Sequence, residues 1–241
     1  MLMTLRVKFT KEGYLKYISH LDMMRLFDRA FRRGNIPIRY SQGFNPQPKL
    51  SIANPLALGI ESQEEFMDIE LSERIPETDF IDIMNKELPE GIRIIDVKYV
   101  DDKRIVSSIV GWSYYEIKVK VNNMEDLDSL QYSIDRWLRN TEILLERTRY
   151  KKGKEIKDIK NIRPLIGNVT IDRNDENLKK DNGYVLRLYC LLKSNDSGNL
   201  KPTDFLKAFK EYTGFDMDIE MADIKRLNMY TDVDGSIQSP M

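Results

Sequence analysis

The order in which the hydrophobic period changes along the chain limits the folds open to it. Residues 2–9, LMTLRVKF, alternate in the period of a half-buried strand, with Leu5, Val7 and Phe9 on one face and Arg6 and Lys8 on the other. A helix period follows over about 20–33, where Met23, Met24, Leu26, Phe27, Ala30 and Phe31 gather on one side. Ser19 is placed to cap that helix, with Asp22 three residues on, and Gly34 and Pro37 are placed to end it. Two extended pieces, IPIRYS and KLSIAN, enclose the loop QGFNPQP, then EFMDIELS reads as a strand, 77–88 as a helix and IRIIDVKYV as a strand.

The second half repeats that order at the level of elements. Residues 112–121 read as a strand, EDLDSLQYSIDRWLRN as a helix, 143–162 as a hairpin-like extended segment, 184–193 as a strand, 202–214 as a helix, and FDMDIEMADIKRLNMY supplies the last strand. The expected fold class is α+β, two tandem ferredoxin-like (βαββαβ) halves spanning 1–103 and 111–232, with a flexible tail over 233–241. Residues 167–183 read as a polar insertion.

Charge is unevenly distributed. Residues 1–60 hold ten Lys and Arg against three acids, whereas residues 61–100 hold twelve acids against four bases. Four arginines, Arg25, Arg29, Arg32 and Arg33, lie opposite the apolar face of the first helix, where only Asp22 and Asp28 oppose them. Guanidinium groups at helical spacing suit bidentate contact with phosphate. Lys49 extends this basic surface, and Tyr40 and Phe44 offer flat faces for stacking. The competing arrangement pairs these cations with the acidic segment. A second basic run, RTRYKKGKEIKDIK, adds Lys151, Lys152 and Lys154 as candidate phosphate contacts.

Several chemistries are excluded or poorly served. The chain has one histidine, His20, and one cysteine, Cys190. A disulfide within the chain, a cysteine metal cluster and an iron-sulfur cluster held by three cysteines are therefore impossible. No metal or cofactor site is expected. Cys190, in the apolar run YVLRLYCLL, is expected to be a buried strand residue. His20 can exchange protons near neutral pH, so it is the alternative catalytic candidate. No apolar run reaches bilayer-spanning length and the N-terminus alternates, so a cytoplasmic protein with no membrane partner is expected.

The block KYISHLDMMRLFDRAFRRGNIPIRYSQGFNPQPKLSIANPLALGIES closely resembles the bacterial radical SAM-associated (radical SAM-linked) family, whose domain occurs alone or fused behind a radical SAM enzyme. The matching residues include Ser19, His20, Asp22, Arg25, Arg29, Arg32, Arg33, Tyr40, Gly43, Phe44, Pro46, Pro48, Lys49, Pro55 and Gly59. The resemblance implies a radical SAM enzyme as partner. Together with the basic surface it gives the expected function: an accessory protein without catalytic activity of its own, which binds RNA or another phosphate-rich substrate and presents it to a radical SAM modification enzyme. In architecture alone, two such halves with a helix-borne histidine are similar to CRISPR repeat-processing endoribonucleases, although this chain lacks their typical glycine-rich loop near the C-terminus. A metal-independent endoribonuclease using His20 is thus one alternative, and a protein-interaction module docking on the radical SAM enzyme is another.

Overall fold

A computed structural model of the protein describes residues 3–101, 104–122, 127–151, 154–172, 179–180, 183–195, 197–233 and 236–241. The fold is mixed α/β, with 28% helix and 43% strand. The chain forms two units, the first of Met1–Ser113 with Lys225–Met241 and the second of Tyr114–Ile224.

The first unit follows the order strand, helix, two strands, helix, strand. These are β1 (Met3–Lys11), α1 (His20–Arg33), β2 (Leu50–Ile52), β3 (Glu61–Leu71), α2 (Glu77–Glu87) and β4 (Ile94–Val100). Both β3 and β4 pair antiparallel with β1, and β2 pairs antiparallel with β3. A short helix α3 (Val106–Ile109) leads into β5 (Val110–Val121). From residue 225 onward, β12 (Asp223–Val233) returns to the first unit and pairs in parallel with β3, Lys225 opposite Glu61 and Arg226 opposite Ser62.

Helix α1 starts and stops where its sequence dictates. The Ser19 hydroxyl accepts the Asp22 backbone N–H at 3.1 Å, and the Gly34 N–H closes the last turn on the Ala30 carbonyl at 2.9 Å. Its buried face, Met23, Phe27, Ala30 and Phe31, packs with Leu5, Val7 and Phe9 of β1 and with Phe80 and Met84 of α2, so both helices cover one face of the sheet. Phe27 meets Phe9 edge to face at 5.1 Å. Each such fully buried side chain contributes about 1.5–3 kcal/mol.

The opposite face of that sheet is covered too, which corrects the expectation that Arg6 faces solvent. Phe66 of β3 packs with Val106, Ile109 and Met229, and Arg6 is only 4% exposed. Arg6 donates to both oxygens of Asp68, at 2.8 and 3.0 Å, and to the Pro240 carbonyl at 2.8 Å. Asp68 also accepts the Val106 N–H at 2.7 Å. Within the tail expected to be loose from residue 233, β13 (Ser236–Gln238) pairs with β12 and Pro240 is buried.

In the second unit, β5 is followed by α4 (Leu127–Leu138), β6 (Leu144–Lys151), β7 (Lys154–Asn161), β8 (Ile166–Ile171), β9 (Lys179–Lys180), β10 (Gly183–Asn195), β11 (Gly198–Asn199) and α5 (Pro202–Thr213). The hairpin β6–β7 is a separate two-stranded sheet, and β10 neighbours β5 as well as β8, β9 and β11. The polar insertion expected over 167–183 is thus partly strand, since Val169 and Ile171 of β8 turn inward against β10. Trp137 of α4 packs on Phe209 and Tyr212 of α5 at 5.6 and 5.4 Å. Cys190 is fully buried, as its apolar surroundings in sequence implied. Among the described residues no helix is long and apolar enough to cross a membrane.

Candidate functional site

The arginines of α1 divide into an exposed row and a structural tie. Arg25 and Arg32 pair with aspartates of their own helix, Asp22 at 3.3 Å and Asp28 at 3.1 Å, and both side chains stay 60% exposed. The hydrogen bond from Ser19, and then the Arg25 charge, hold the Asp22 carboxyl below its ordinary range. Arg29, between them on the exposed face, has no partner among the described residues. Arg33 is different: its Nε donates to Glu87 Oε2 at 2.8 Å and a second N–H donates to the Glu87 carbonyl. It ties α1 to α2.

The two extended pieces after α1 form a hairpin beside it. Tyr40 bridges Pro48, Ser41 N–H donates to the Gln47 carbonyl at 2.8 Å, and the Ser41 hydroxyl accepts the Gln47 N–H at 2.9 Å. The tip needs Gly43, whose φ of +135° no β-carbon tolerates cheaply, and it leaves Phe44 wholly exposed. At the base, the Arg32 guanidinium lies 5.0 Å over the Tyr40 ring, while Tyr40 donates its hydroxyl to Asp28 at 2.8 Å. Partial burial and Asp28 push the Tyr40 hydroxyl pKa up, so it stays a donor. Lys49 and Arg39 converge on Glu70 at 3.1 and 3.3 Å.

These pairs resolve much of the charge asymmetry. Lys16 meets Glu61, Lys8 meets Glu64 and Arg6 meets Asp68, so acids of β3 answer bases of the first sixty residues. Of the residues singled out in the sequence, Arg25, Arg29, Arg32 and Phe44 remain exposed on helix and hairpin with Tyr40 half-buried between them, whereas Arg33 and Lys49 are tied to acids of other elements. In the second unit Lys151 pairs with Lys154 at the end of β6–β7 where the two strands adjoin in sequence, their side chains and all of Lys152 lying outside the described residues. Nearby on that hairpin, Arg147 reaches Asp204 at 2.9 Å and Lys157 reaches Glu146 at 2.7 Å.

His20 lies apart from the arginines. At 100° per residue, Arg25, Arg29 and Arg32 sit about 120° to 180° around the helix from it. It is exposed, in line with the buried stripe at the first turn, and borders a cleft lined by Phe9, Lys11, Met23, Ile52, Pro55, Leu56 and Glu65. A phosphate held by the arginine row would therefore face away from His20. Lys11 and Glu65 were not candidate site residues in the sequence, where Glu64 and Glu65 are one acidic pair in a highly charged chain, though one signal was present: the inward parity of Leu5, Val7 and Phe9 continues to Lys11. Among the described residues no group of three or more His, Cys, Asp or Glu side chains is placed to hold a metal.

Fold and site together define a mixed α/β protein with a basic, aromatic-tipped surface. Residues 4–202 match a family described as uncharacterized proteins conserved in bacteria (DUF2344), and the chain belongs to that family. No curated protein matches the chain.

Proposed function

We propose that this protein binds single-stranded RNA through the exposed face of α1 and the adjoining hairpin, and presents it to a radical SAM modification enzyme. The observation that carries the RNA reading is the row Arg25, Arg29 and Arg32, with Arg32 stacked on Tyr40 and Phe44 exposed at the hairpin tip. Ion pairs as exposed as Arg25–Asp22 and Arg32–Asp28 add little stability, so the guanidinium groups can exchange a carboxylate for a phosphate. Phe44 and Tyr40 supply base-stacking surface that tolerates any sequence. The partner enzyme rests on the resemblance of residues 16–62 to the radical SAM-associated family.

The architecture we assign is ferredoxin-like for each half. In the first half it is supported by the strand order β2-β3-β1-β4, antiparallel throughout, with α1 and α2 on one face.

Crosslinking to RNA in cells tests the reading, comparing wild type with an Arg25→Ala/Arg29→Ala/Arg32→Ala variant whose fold is checked by circular dichroism. RNA recovered with wild type and lost in the folded variant is the expected result. In vitro, the slope of log affinity against log salt drops by about 2, from three phosphate contacts at about 0.7 each. RNA recovery at background, or an unchanged slope, removes RNA as the ligand of this face.

A further inference from the structure

A pocket of about 530 Å³ opens in the second unit between α4 and the end of α5, a size that holds a small molecule. One wall is a stripe of α4, where Leu130, Ser133 and Arg136 recur at helical spacing and Asn140 follows two residues past the helix end. The Asn140 N–H closes on the Trp137 carbonyl at 3.2 Å and continues the turn. The other wall is Tyr212 at the end of α5 and Phe215 beyond it. Between them Gly214, with φ of +69°, caps α5 through its N–H on the Lys210 carbonyl at 2.9 Å and turns the chain. The Phe215 N–H donates to the Thr213 hydroxyl at 3.3 Å, and Asp216 accepts the Asn122 amide at 2.7 Å, so the segment carrying Phe215 is fixed to the end of β5.

The Tyr212 ring is held from behind. It lies nearly parallel to Trp137, and Trp137, only 3% exposed, packs in turn on Phe205 and Phe209. Tyr212 lines the pocket and keeps 39% of its surface open, so an ordered aromatic ring awaits a flat ligand at little further cost in entropy. Leu130, buried, and Phe215 supply apolar contact beside it.

Two polar ends converge on the same space. The Arg136 guanidinium and the Asn140 amide have no partner among the described residues, and Arg136 is the one charged residue of the lining among them. It stands in the last turn of α4, where the helix end itself disfavours an anion, so an anion bound there depends on this guanidinium. The amide offers a donor and an acceptor side by side, as the edge of a nucleobase does. One cation balances one phosphate group and not a chain of them. An aromatic acid without a polar edge would leave Asn140 unmet and much of the space unfilled.

We propose that this pocket binds a nucleoside 5′-monophosphate, with the base against Tyr212, the base edge on Asn140 and the phosphate on Arg136. The site belongs to the second unit and is independent of RNA binding by α1.

Titration calorimetry on the full chain tests the proposal, with the common nucleoside 5′-monophosphates, the corresponding nucleosides, ribose 5-phosphate and adenosine triphosphate. A monophosphate is expected to bind at least about tenfold tighter than its nucleoside, which lacks the charge-assisted hydrogen bonds. It should bind about tenfold tighter than ribose 5-phosphate, which lacks the stacked base, and the triphosphate should gain nothing over it. Arg136→Gln, an exposed change that spares the core, should erase the advantage of nucleotide over nucleoside. Tyr212→Leu should erase the advantage over ribose 5-phosphate, and if it disturbs the fold by circular dichroism the Arg136→Gln comparison still decides. The Arg25→Ala/Arg29→Ala/Arg32→Ala variant should bind mononucleotides as wild type does whether or not wild type binds RNA, which separates failure of this site from failure of the RNA reading. The proposal is overturned if no monophosphate binds, if nucleosides or ribose 5-phosphate bind as tightly, if Arg136→Gln binds nucleotides like wild type, or if the triple variant loses them.

Discussion

Replacing Arg226 with methionine provides a stringent test of how the first unit is held together. Arg226 and Glu65 are each 3% exposed, and Arg226 joins Glu65 at 2.8 Å and the Asn54 carbonyl at 3.0 Å. Removing the arginine leaves Glu65 buried without its nearest cation. Breaking a buried pair in this way costs about 3–5 kcal/mol. Protonation limits the charge part of that penalty: neutralising a glutamate at pH 7 against an ordinary pKa of about 4.3 costs about 3.7 kcal/mol. Lys11, whose charge reaches Glu65, offsets some of it, so a loss of about 3 kcal/mol is expected at pH 7.

The pH dependence follows from sign. Burial raises the Glu65 pKa and Arg226 opposes the rise. A carboxylate with a raised folded-state pKa binds its proton more tightly in the folded protein, so its contribution to stability falls as pH rises through that window. Without Arg226 the pKa rises further and the window extends upward. The loss in Arg226→Met should therefore shrink by about 1.4 kcal/mol per pH unit on acidification, down to the roughly 1 kcal/mol of the lost hydrogen bonds. Urea unfolding followed by Trp112 fluorescence in a Trp137→Phe background reads the first unit. Adding Glu65→Gln should abolish the pH dependence of the loss. A loss below about 1 kcal/mol at pH 7, equal at pH 5, would refute this account of the pair.

Cys190, fully buried and with its thiol pKa pushed up by burial, should react with a thiol reagent only at the rate of unfolding; fast reaction of the native protein would contradict its placement in β10. Gly91→Ala should destabilise by about 1–3 kcal/mol in the same urea assay, because φ is +93° and a β-carbon would stand 2.5 Å from the Glu12 carbonyl oxygen; an unchanged midpoint would show that this turn relaxes.

Local signals made most of the first half legible in the sequence. The cap at Ser19, the stop at Gly34 and the apolar stripe through Phe27 and Phe31 fix α1 by interactions within a few residues, and the helix runs over His20–Arg33 as read. What was not legible depends on contacts distant in sequence. Nothing near Arg6 announces that Asp68 and the Pro240 carbonyl will enclose it, and a strand that alternates Arg and Lys with apolar residues reads as one-sided until the second face is covered. The strand Ile166–Ile171 was hidden by its polar context, with three buried residues, Ile166, Val169 and Ile171, too unevenly spaced to set a period. The exposed arginine face was visible because it belongs to one helix. The cleft was not, because it joins Lys11, His20, Leu56 and Glu65 from four segments.

The parallel pairing of β12 with β3 has a consequence for synthesis. Glu65 leaves the ribosome long before Arg226, and residues 114–224 are made in between. Until then the strand that carries Glu64, Glu65 and Asp68 lacks its Arg226 partner, and Arg6 of β1 lacks the Pro240 carbonyl, so the first unit can be only partly formed while the second is being translated. A chaperone meeting the nascent chain would find one sheet edge open and acidic, and the arrival of β12 closes it.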